Sequence, residues 1–186
     1  MSRNKWIISL VLLLALVLVA ASAFAQNALP EALVTADWLE ENLENPNVRI
    51  IEVSVNPGVF ERGHIPGAVN FVWHTDFVNP VERDIVSAER FQELLQAAGV
   101  NDDTTVILYG DTNNWFAAWG AWIFNIYGVD DVRLLDGGRV KWEADGRPFS
   151  TDVAAFEAGS VTISEADADL RALKPEVLSI VEGGLP

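Results

Sequence analysis

The sequence contains no cysteine, and only two of its 186 residues are histidine. The first absence removes disulfides and thiolate nucleophiles together, although an exported protein is free to use both. Neither histidine has a second metal ligand at a usable spacing, so no metal and no cofactor is expected. Positive charge is scarce too: 12 Lys and Arg stand against 27 Asp and Glu, a net charge of −15. Such a chain repels phosphate backbones, and it has no basic stripe with interleaved aromatics, so nucleic acid is not an expected partner. There is no internal repeat and no low-complexity tract.

The one long apolar run opens the chain. Arg3 and Lys5 precede an apolar stretch over residues 6–21, and Ala23-Phe24-Ala25 offers the small-x-small pattern of a cleavage site. Residues 1–25 therefore read as a signal peptide, and the protein as exported to a periplasm or to the outside of the cell. If uncleaved, the same segment would be a membrane anchor, since it is not much shorter than the roughly 20 apolar residues that span a bilayer. A membrane is expected as a partner only in that case. Loss of Arg3 and Lys5 takes the net charge to −17, which keeps an exported domain in solution. About 160 residues remain, the size of one domain with a substantial core.

Strands and helices alternate along that remainder. Thr35 can cap a helix running to Leu43, with Asp37 and Glu40 near its positive end. Residues 48–55 are apolar at most positions, the pattern of a strand covered on both faces. A short strand over 68–73 follows, then a helix capped by Ser87 with Phe91, Leu94, Leu95 and Ala98 on one face and Gly99 at its end. Residues 105–109 form a β-branched strand closed by the turn formers of 110–114, and Trp115, Trp119, Trp122 and Ile126 recur at helical spacing up to Gly128. Residues 132–135 give another strand, Asp136-Gly137-Gly138 a turn, and Val140 and Trp142 a short helix ending near Pro148. This order implies right-handed crossovers and a mainly parallel sheet between helical layers. Beyond Pro148 the pattern weakens to an isolated strand at 161–163 and a helix over 168–181, in which Pro175 marks either the first turn or a break.

Two segments are specific. Residues 60–71, Phe60-Glu61-Arg62-Gly63-His64-Ile65-Pro66-Gly67-Ala68-Val69-Asn70-Phe71, resemble a rhodanese signature over their whole length. Residues 134–139, Leu134-Leu135-Asp136-Gly137-Gly138-Arg139, followed by Trp142, are similar to that family's segment after its last core strand. The likeness covers roughly residues 33–150 and looks most like the N-terminal half of a tandem thiosulfate or 3-mercaptopyruvate sulfurtransferase. It implies a three-layer α/β/α rhodanese-like domain at 33–150, with 151–186 as a connector toward a second domain. His64, Pro66 and Gly67, with Asp136, Gly137 and Gly138, are then structural motif residues. The ring of His64 is suited to bonding nearby backbone and fixing the turn before Pro66 and Gly67.

In that family a cysteine thiolate carries sulfur as a persulfide, held by loop amides that converge at a helix N-terminus. The matching loop here is Gly110-Asp111-Thr112-Asn113-Asn114-Trp115. The resemblance places the nucleophile at Gly110 or, with one shift, Asp111, and neither holds a persulfide; Trp115 stands where a basic residue is expected. The loop thus reads as vestigial, with no catalytic residue. Asp111, Asn113 or Asn114 suits an N-cap. An aspartyl nucleophile at Asp111 lacks a Lys or second carboxylate beside it, and His74 near Asp76 is only a proximity in sequence. The Trp115, Trp119, Trp122 stripe reads as core or as an interface.

The expected role is that of a cysteine-free domain of a rhodanese-family sulfurtransferase, scaffolding a catalytic rhodanese domain. That partner lies in cis if the protein continues beyond Pro186, near where the next first strand would begin, and in trans otherwise. An exported module that binds an anion or a partner without turnover is the alternative.

Overall fold

The computed structural model describes residues 32–184, so the expected signal peptide at 1–25 lies outside the described residues. In chain order the elements are β1 (Leu33–Val34), α1 (Ala36–Glu41), β2 (Val48–Ser54), β3 (Val69–Val72), a π-helical turn (Trp73–Phe77), α2 (Ala88–Ala97), β4 (Thr105–Gly110) and α3 (Trp115–Ile126). Then come β5 (Val132–Leu135), α4 (Gly138–Ala144), a 3-10 turn (Ala168–Leu170) and α5 (Lys174–Val181). The strands form one sheet in the order β1-β5-β4-β2-β3, with every neighbouring pair parallel.

Strand alternation sends side chains to two separate cores. Ile51, Val53, Val106 and Leu108 pack with Phe91 and Leu95 of α2 and Ile123 and Phe124 of α3. Val48, Ile50, Ile107 and Tyr109 pack with Leu39 of α1 and Trp142 of α4. The result is the expected α/β/α sandwich, and burial on both faces is why β2 and β4 are apolar at most positions. The helix starts follow their side-chain caps: Thr35 accepts from the Trp38 amide at 3.1 Å and Ser87 from the Arg90 amide at 3.3 Å. Trp119 packs edge-on to Trp73 and Phe77, and Trp122 lies against Trp119, whereas Trp115 is 71% exposed. The tryptophan stripe is therefore split between core and surface.

Four local expectations change. The two-residue edge strand β1, paired to β5, precedes the first helix and was not anticipated. α1 ends at Glu41 with Asn42 as its C-cap rather than reaching Leu43. Residues 161–163 are not a strand but part of an extended strap over 151–167. Its bonds are scattered: Gly159 N to Gln96 O at 2.8 Å, Val161 N to Val100 O at 3.1 Å, Ser164 N to Tyr127 O at 2.9 Å and Asp167 N to Ile126 O at 2.8 Å. Its amides donate to carbonyls at the C-terminal end of α2, in the loop after it and at the C-terminal end of α3, so it never gains a ladder. The helix expected over 168–181 is broken between the 3-10 turn and α5, because Pro175 has no N–H to continue a helix and sits in the first turn of α5.

Candidate functional site

In a parallel sheet the strand C-termini share one edge, and loops leaving that edge form the usual crevice. Here the loop after β4, the expected vestigial loop, meets the loop after β2 and the turn after β5. Asn113 and Asn114 are both left-handed, with φ of 49° and 60°, a conformation asparagine tolerates better than most residues. The Asn114 side chain turns inward. Its Oδ1 accepts from the Gly110 amide at 2.9 Å and its Nδ2 donates to the Leu135 carbonyl at 2.7 Å. Gly138, at φ 53°, passes so close that a Cβ there would overlap the Asn114 amide.

No side chain caps α3, contrary to the expectation for this loop. Asn114 occupies the cap position but spends its amide on β4 and β5. Asp111 faces the other way: one carboxylate oxygen accepts from the Asn56 amide at 2.8 Å, Asn56 Nδ2 at 2.9 Å and the Val55 amide at 3.3 Å. The other takes the Thr112 hydroxyl at 3.2 Å. Two successive main-chain amides that would suit an external anion are thus held by an internal one. Gly110 is closed as well, because a Cβ built there would lie 2.8 Å from the Val53 carbonyl oxygen. Trp115 points out to solvent.

Below the loop lies a charged pair that the sequence reading did not assign. Glu52, fully buried in β2, accepts from Arg139 Nη1 at 2.9 Å and from Ser54 Oγ at 3.1 Å. Arg139 also donates to the Gly63 and Val59 carbonyls and stacks 4.6 Å from the Phe149 ring centre. Tyr109, level with Glu52 across the β2–β4 pair, accepts from the Ile65 amide at 3.0 Å. Burial raises the Glu52 carboxyl above its ordinary range, against the opposing pull of Tyr109, Arg139 and Ser54, and burial likewise raises Tyr109. The signal was present in the sequence: a carboxylate inside an apolar strand demands a buried partner.

The sign of the Glu52 shift fixes a pH dependence. A carboxyl whose folded pKa exceeds its unfolded value contributes stability that is complete below the unfolded value, about 4.3, and is lost as pH rises through the folded value. Asp84 and Asp131, whose pKa values are lowered, act in the opposite sense. The Glu52 contribution is isolated by comparison with Glu52→Gln, which cannot titrate. In urea titrations from pH 4 to 8, the stability of the native chain relative to Glu52→Gln should fall as pH rises and level off above the folded value; a difference constant across that range would contradict the shift.

The signature segment is anchored by His64. Its ring is buried, stacked on Phe60 with centroids 3.7 Å apart, and both nitrogens face main-chain carbonyls: Nδ1 to Phe60 O at 2.9 Å and Nε2 to Asp152 O at 3.0 Å. No ring nitrogen is left for a substrate. Paired bonds between His64 and Ser150, both 2.8 Å, fasten the segment to the start of the strap. Pro66 leads into Gly67, which takes φ 79° in the turn before β3. The Asp136 amide bonds Val34 O, and Gly137, at φ 75°, opens α4 together with Gly138. His74 and Asp76 form no pair: Asp76 accepts from the Val72 amide at 2.7 Å and His74 is exposed against Trp73. Among the described residues no group of three or more His, Asp or Glu side chains is placed to hold a metal ion.

Known proteins resemble the chain in sequence and fold. The chain is 46% identical over 149 residues to the sulfur carrier protein TtuD of Thermus thermophilus, covering 80% of this chain and 52% of that protein. It is 47% identical over 151 residues to a putative thiosulfate sulfurtransferase of Mycobacterium tuberculosis, covering 81% of this chain and 54% of the relative. It therefore spans about half the length of the curated relatives it matches. Among solved structures, the Escherichia coli 3-mercaptopyruvate sulfotransferase SseA superposes with a TM-score of 0.73 at 25% identity, over 82% of this chain and 62% of that one. The family model for the rhodanese-like domain matches residues 35–145, more than half of the chain, and the protein accordingly belongs to the rhodanese-like domain family.

Proposed function

We propose that this chain is the cysteine-free domain of an exported rhodanese-family sulfurtransferase, corresponding to the N-terminal half of a tandem protein, and that it scaffolds a catalytic rhodanese domain rather than carrying sulfur itself. The observation that supports this reading most directly is the occupied loop. Asn114 fills its interior, Asp111 takes the neighbouring amides, and Gly110 abuts the Val53 carbonyl. A persulfide needs a thiol in that space and free amide donors around it. The chain offers no thiol there, and the Val55 and Asn56 amides beside the loop are already held by Asp111.

Relatives about twice as long support a second domain as the partner, and the exposed Trp115 beside the loop supports an apolar contact with it. Export rests on residues 1–25 alone. The alternative of an anion-binding module is opposed at this site by the Asp111 carboxylate, which already holds the Val55 and Asn56 amides.

Purified alone and supplied with thiosulfate and cyanide, the chain should form no thiocyanate, and its intact mass should gain no sulfur from the donor. Turnover or a sulfurated species would overturn the proposal. Gly110→Cys should not restore activity: overpacking against Val53 should instead cost about 1–3 kcal/mol in a urea melt. Translation of the coding DNA past residue 186 tests the tandem arrangement. A rhodanese-like sequence with a cysteine in the equivalent loop is expected there.

A further inference from the structure

The opposite edge of the sheet carries a different feature. β3 pairs with β2 only from Ile51 onward, so the first three residues of β2 have an open edge on that side. A cavity of about 310 Å³ lies along it, lined by Val48, Arg49 and Ile50, by Leu43, Glu44, Asn45 and Pro46 before the strand, and by Gly67 and Phe156. Its size is at the lower end for small-molecule sites. Arg49 is the unusual member. It is only 9% exposed, no carboxylate lies within ion-pair distance among the described residues, and Nη2 donates to Gly99 O at 3.2 Å while the buried Nε has no partner. The Phe156 ring lies 3.5 Å from the guanidinium carbon and offsets part of the charge, but it accepts no conventional hydrogen bond. A buried cation without an anion is costly, and proteins almost always pair it.

We propose that this cavity binds a small organic monocarboxylate, with its carboxylate on the Arg49 guanidinium and its short apolar body against Leu43, Pro46, Val48 and Phe156. The planar fork of arginine matches a carboxylate, and the apolar walls favour a hydrocarbon body over a bare inorganic oxyanion. Glu44, exposed at the rim, disfavours ligands of higher negative charge. The strongly acidic remainder of the protein opposes anions only weakly at this point, since charges beyond about 8 Å are largely screened at physiological ionic strength. Because Phe156 belongs to the strap, the ligand would also tie the strap to the sheet edge. The site is separate from the loop after β4 and does not depend on the sulfurtransferase reading.

The test uses the full chain with hexanoate as probe, and hexylammonium and sulfate as comparison arms, following the Arg49 Nε–H resonance by NMR. Hexanoate should move that resonance saturably, while the other two leave it in place at equal concentration. Arg49→Met should weaken hexanoate binding roughly tenfold or more, read from the Gly99 and Phe156 amides. Should Arg49→Met not fold, Phe156→Ala decides: it removes a wall contributed by the surface strap and should weaken binding several-fold. Absence of a saturable shift with hexanoate, an equal response to sulfate, or undiminished binding by either folded variant would overturn the proposal.

Discussion

Replacing Arg139 with alanine should destabilise the protein by about 3–5 kcal/mol at neutral pH, the scale for removing one partner of a buried ion pair. Glu52 is fully enclosed, and without Arg139 it keeps only the short-range help of Ser54 and Tyr109, with Asp111 repelling it. The loss has a ceiling, because the carboxyl can take up a proton. For a carboxyl of ordinary pKa near 4.3 that proton would cost about 3.7 kcal/mol at pH 7, at about 1.36 kcal/mol per unit, and the raised pKa of Glu52 brings the ceiling below that figure. Lost bonds to Gly63 and Val59 and the stack on Phe149 add to that figure. The same ceiling falls with pH, so the penalty measured by urea unfolding should be clearly smaller at pH 5 than at pH 8. A penalty below about 1 kcal/mol, or one equal at both values, would show that Arg139 does not hold the Glu52 charge. Arg139→Met, which keeps the aliphatic stem, should lie only slightly above the alanine variant in stability.

The second large effect is expected at Gly138. Alanine there meets two penalties at once: a left-handed φ of 53° and overlap of its Cβ with the Asn114 side chain. Together these should cost about 2–5 kcal/mol. The damage should spread to the loop, because displacing Asn114 frees the Gly110 amide and the Leu135 carbonyl. Faster hydrogen exchange at Gly110 N–H would report it. A double-mutant cycle with Asn114→Gly separates the two causes: once Asn114 is removed, Gly138→Ala should cost distinctly less than in the native background. Strict additivity would mean that the backbone strain acts alone.

The layered architecture was readable because each strand declares its burial. β2 and β4 are apolar on successive positions, and Ser87, Gly99 and Gly128 punctuate the helices between them. β1 was not readable, since two residues carry no period. The strap was not readable for a related reason: an extended chain tied by isolated bonds to Gln96, Val100, Tyr127 and Ile126 leaves no repeat in its own sequence. At the site, the loop and the diglycine turn were visible as motifs, but their mutual contact was not. That Asn114 reaches both Gly110 and Leu135 depends on two adjacent left-handed residues, which composition does not specify. Glu52 is legible in the sequence only as a carboxylate inside a mostly apolar strand. Its partner, Arg139, lies in the segment 134–139, and a separation of 87 residues leaves no local pattern that pairs the two.

The fit between Asn114 and Gly138 bears on ancestry. If forebears of this chain once held a nucleophile in the loop, the way back is barred at more than one door. A cysteine arriving at position 110 would crowd the neighbouring strand, and it would find the amide at its own position already engaged by an asparagine that the diglycine turn shelters. On the proposed reading, a cysteine regained at position 110 alone would weaken the fold before it gained free space, which leaves selection no gradient to follow at that position.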